Sequence, residues 1–150
     1  MAQGFEKFWL LENKYLYWTV LFVNIGIALR VLLDSMGGLT VVEGIMLSDV
    51  VLVIAISIGF VFTFLAAQHV FLKTHKFNET VGSGAIFGAF LFVSVHVVNR
   101  LVQAAVGLPN WAALNSEIVM GLLGGGLVGA VFFALAIIAL VLESRYNLKR

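Results

Sequence analysis

Cysteine is absent from this chain of 150 residues, and proline occurs once, at Pro109. The first absence excludes disulfide-stapled folds and thiolate metal centres. The second excludes collagen-like and proline-rich segments. Charge is also scarce: Asp, Glu, Lys and Arg make up 11% of the residues, where soluble domains carry about a quarter. The basic residues are scattered and the net charge is +1, so no nucleic-acid footprint exists.

What the chain has instead is apolar surface, with 61% hydrophobic residues. A hydrocarbon core of about 30 Å needs roughly 20 apolar residues per helix. Four runs qualify, at about 15–33, 48–72, 82–106 and 118–142. They are continuous rather than alternating, which excludes the short dyad-patterned strands of a β-barrel. The expected fold is an all-α membrane protein, a single domain of four transmembrane helices in an up-down bundle. The lipid bilayer is its first partner.

Orientation follows from Lys and Arg. All of them except Arg30 and Arg100 precede the first run, lie between runs two and three, or end the chain. The N- and C-termini are therefore expected to be cytoplasmic, in the cell membrane. No cleaved signal peptide is expected, because Glu6 and Glu12 balance the leading lysines and no small-x-small site follows. Phe5, Phe8 and Trp9 share a helical face and predict a short N-terminal interfacial helix, with Tyr15, Tyr17 and Trp18 as an aromatic belt. In the first connection, Thr40-Val-Val-Glu43 has the spacing of a capping box and predicts a helix start. Asn115 and Glu117 suit the N-cap and first turn of the fourth helix.

Polar groups within apolar runs are expensive and draw attention to function. His96, Asn99, Arg100 and Gln103 recur at i, i+3, i+4 and i+7, hence on one helix face. His96 lies about 20 Å from the start of its run, past mid-membrane. Arg30, Asp34, Glu43, Asp49 and Glu117 reach the same outer level. One reading is a polar intramembrane site formed by His96, Asn99, Arg100, Gln103, Arg30, Asp49 and Glu117, with Arg100 paired to Asp49 or Glu117. The simpler reading pairs Arg30 with Asp34 along one helix and makes the stripe helix-to-helix glue.

Gly121, Gly125 and Gly129 form a small-residue ridge, and Gly84 with Gly88 a shorter one. Both are expected to pack helices closely, within the chain, against other membrane subunits or in a homo-oligomer. They lack phosphate-loop spacing. His69 and His96 invite a haem reading, but their depths differ too much for one iron within this chain. No motif specifies a cofactor or a metal, and no catalytic residue stands out.

Three functions remain in view. The first is a non-catalytic structural or accessory subunit of a larger membrane complex, for which respiratory or oxygenase assemblies are natural settings. The second is a small proton or ion transporter or channel using the outer polar site. The third is a haem- or quinone-associated redox anchor using His96 or His69 among Phe90, Phe92, Phe132 and Phe133.

Overall fold

The computed structural model describes residues 13–147. The interfacial helix expected at Phe5, Phe8 and Trp9 falls outside the described residues. Four helices dominate: α1 (Lys14–Ser35), α2 (Leu47–Thr74), α3 (Phe77–Ala105) and α4 (Leu114–Asn147). Each is long and apolar enough to cross a membrane. At about 1.5 Å per residue, the 28 residues of α2 and the 34 of α4 exceed the hydrocarbon core, so both tilt or protrude.

Only 17% to 28% of each helix's most apolar stretch is buried. Leu123, Leu127, Leu135 and Ile138 of α4 all face outward. Such an uncovered apolar surface is untenable in water and natural in lipid. The buried core is small, and its main cluster is Leu16, Ala66, Ala67, Phe87, Phe133 and Ala136.

Helix ends follow local chemistry. Asn13 caps α1, its Oδ1 accepting from the Tyr15 N–H at 3.2 Å. Gly37 and Gly38 stop α1 with φ of 91° and 61°, values that side chains rarely adopt. The expected helix start at Thr40 is overturned. Thr40–Val42 is instead a strand, β1, paired antiparallel with β2 (Ile45–Met46). The β-branched run favours extended backbone, and Gly44 at φ 82° turns the chain directly after Glu43. The fourth helix also begins ahead of the expected N-cap: Leu114 opens it, so Asn115 lies inside while Glu117 occupies the first turn.

Between α2 and α3 the link is only His75 and Lys76. His75 takes the left-handed conformation at φ 52° and its N–H donates to Phe71 O at 2.7 Å, closing the helix. A contact between the Thr74 and Thr80 hydroxyls at 3.2 Å spans the turn.

The helices associate first as two pairs, α1 with α2 and α3 with α4. Within each pair the directions oppose. Thr19 meets Thr63 and Gly59 while Gly26 faces Ala55, and Gly84 meets Phe133 while Gly125 faces Phe92. The pairs then join through α1 against α3 and α2 against α4.

The glycine ridges account for the closeness of the second pair. A Cβ on Gly88 would collide with Gly125 O and lie 2.8 Å from Gly129 Cα. One on Gly84 would lie 2.6 Å from Gly129 O. The two ridges predicted from sequence therefore face each other inside one chain. In the first pair, a Cβ on Gly59 would lie 2.6 Å from Val23 Cγ2, so there the close contact is with a side chain rather than with backbone.

Candidate functional site

The polar residues singled out in sequence form two clusters, each where a helical pair is joined. In the α1–α2 pair, Arg30 stands within ion-pair range of Asp34 at 3.7 Å and Asp49 at 3.8 Å. Asp34 is one turn along the same helix, while Asp49 opens the next. All three are solvent- or headgroup-accessible, with Arg30 43% and Asp49 55% exposed.

The α3–α4 cluster is tighter. Arg100 Nε donates to Glu117 Oε2 at 3.0 Å and Nη2 donates to Glu117 Oε1, a two-point clasp that fits the planar guanidinium to the carboxylate. Arg100 Nη1 also reaches Gln103 Oε1 at 3.4 Å. Here the Arg100 side chain is 9% exposed and that of Glu117 26%. His96 stands nearby, its Nδ1 3.9 Å from Glu117 Oε2, too far for a hydrogen bond but within electrostatic reach. Asn99 is half-buried and makes no side-chain hydrogen bond among the described residues.

His96, Arg100, Gln103 and Glu117 are thus brought together. Arg30 and Asp49 are not joined to them by any hydrogen bond or ion pair among the described residues. Arg100 takes Glu117 as its partner and Asp49 goes to Arg30. The helix geometry dictates this division, because each arginine sits five residues before its helix ends and an acid in the first turn of the helix that folds back comes within its reach. Chemically, this cluster is a neutralised ion pair with one imidazole beside it.

His69 is remote from this cluster, its ring lying 6.3 Å from Tyr15 near the opposite end of α2. No group of three or more His, Asp or Glu residues suited to a metal occurs among the described residues. Of the phenylalanines named with the redox reading, Phe133 is fully buried against Phe87, and Phe90 faces outward.

A second set of polar groups lies deeper in the bundle: Asn24 stands out in sequence as a polar break in the first apolar run, whereas the threonine pair does not. Thr19 donates to Tyr15 O at 3.0 Å and Thr63 donates to Gly59 O at 2.8 Å, with the two hydroxyl oxygens 3.3 Å apart. Asn24 Nδ2 donates to Val20 O at 2.8 Å and to Ser94 Oγ at 3.0 Å, linking α1 to α3. The small residues Ala55, Gly59 and Thr63, spaced by four on α2, are the signal that could have located this seam.

Compared with family models, with curated proteins and with solved structures, the chain matches none of them.

Proposed function

We propose that the protein is a non-catalytic accessory subunit of a larger membrane assembly: an up-down four-helix bundle with both termini cytoplasmic. The β1–β2 hairpin carries this reading. Leu39, Val41, Val42, Ile45 and Met46 are exposed on it, between the charged residues Asp34 and Asp49 that bracket the helix ends. An apolar hairpin of only two short strands is marginal alone, and its open edges offer backbone donors and acceptors to a further strand. A neighbouring membrane subunit presenting an extended loop at that level supplies both apolar cover and a third strand.

Transport receives less support. The inner arginine is already clasped by a carboxylate, and fixed pairs of this kind join helices as readily as they line a pathway.

The lack of cysteine makes the test clean. Single variants Ile45→Cys and Leu127→Cys are labelled in native membranes with a heterobifunctional reagent, one end alkylating the thiol and the other a photoactivated diazirine that inserts into any neighbouring protein. A partner subunit predicts one adduct of fixed stoichiometry from position 45 and none from the outward-facing position 127. Absence of an adduct at position 45, with the chain migrating alone in mild detergent, overturns the reading.

A further inference from the structure

The two helical pairs do not close completely on each other. A cavity of about 340 Å³ remains between them, with walls from all four helices, including Val23, Ile56, Gly88, Leu91, Val95 and Phe132. Thr19 and Thr63 are the hydroxyl-bearing residues in its wall. Both hydroxyl hydrogens are already given to backbone carbonyls. The cavity therefore offers no free donor to a carbonyl or phosphate head. A trapped water would find only the two threonine oxygens as acceptors and no donor, fewer partners than buried waters usually make.

A pair of rings stands on one side of this cavity. Phe60 of α2 and Phe132 of α4 lie with centroids 5.1 Å apart and line the cavity. The same two rings also line a shallow depression on the outer, lipid-facing side, together with Val61, Phe64 and Leu65. Phe60 is half exposed there. The two rings are thus common to the cavity and to the depression that faces the membrane.

We infer that this cavity is a binding site for the hydrocarbon chain of a lipid, admitted between Phe60 and Phe132, with the polar head left outside the bundle. An apolar cavity of about 150 Å³ in a soluble protein already takes up benzene. This one is more than twice that size and adjoins a solvent of acyl chains. A chain inside gains dispersion contacts with walls that otherwise face empty space.

The test uses the full chain in phosphatidylcholine vesicles doped with a phospholipid carrying a diazirine at mid-chain. After illumination, peptide mass spectrometry maps the adducts. Adducts are expected on Leu91 and Val95 as well as on outward-facing Leu127. Val95→Phe, which fills the cavity, should lower labelling of Leu91 by about tenfold, the factor equivalent to about 1.4 kcal/mol, and leave Leu127 unchanged. Ile27→Phe fills the same space from α1 and serves if the first variant does not fold. Labelling confined to outward-facing residues in the unsubstituted chain overturns the proposal. Equal labelling of Leu91 before and after filling does so as well.

Discussion

The two helical pairs solve the same problem with different materials. Each has an arginine near the end of its first helix and an acid in the first turn of its second. In α1–α2 that contact is open and stretched, and the helices meet through side chains such as Val23 over Gly59. In α3–α4 the contact is a sheltered two-point clasp, and glycine lets backbone approach backbone. Cohesion in lipid comes from close packing and satisfied polar groups, since tails are as apolar as leucine. The second pair is thus expected to be the stable unit and the first the more yielding one.

The largest effect should come from spoiling the glycine seam. Gly88→Ala puts a methyl into backbone that cannot move aside, and unfolding in mixed micelles should show a loss of about 3 kcal/mol, the upper end of the overpacking range. Gly124→Ala, on the facing helix α4 next to the seam residue Gly125, is the control. Nothing lies within 4 Å of a Cβ there, so the higher helix propensity of alanine should leave stability equal or improved.

Next comes the clasp. Arg100→Ala should lose about 2 kcal/mol, as expected for hydrogen bonds to a charged group. The double variant Arg100→Leu with Glu117→Leu should recover most of it, because no uncompensated charge remains. Arg100→Lys should fall between, lacking the planar fork.

Smaller still is the interior threonine pair. Thr19→Val should reduce stability by about 0.6 kcal/mol, the usual worth of a polar contact between membrane helices.

Least affected should be the open contact, where Arg30→Ala should change stability by less than about 0.5 kcal/mol, and less again at high salt. A loss at Arg30 equal to that at Arg100 would abolish the distinction between the pairs.

Much of this was legible in the residues. Apolar run length marks four spans because hydrocarbon thickness fixes how many residues a crossing needs. The stripe from His96 to Gln103 is readable because helical spacing fixes its face. The partner of Arg100 was not, since Asp49 and Glu117 stand at equivalent depth and only the packing order of the helices chooses between them. The Thr40 capping pattern misled because Gly44, one residue beyond it, favours a turn that a helix start cannot accommodate. The cavity was invisible for a different reason: it is what remains when four helices are assembled, and no single run contains it.

Two backbones in contact over several turns cannot bend independently, so the glycine-lined pair should act mechanically as one double-width plank. The other pair is tied to it covalently only by the two-residue link His75–Lys76, and otherwise by the α1–α3 and α2–α4 contacts. If the bundle opens, the expected movement is that of a book's covers. The pages part at the edge where the α2 and α4 rings meet, and the binding holds.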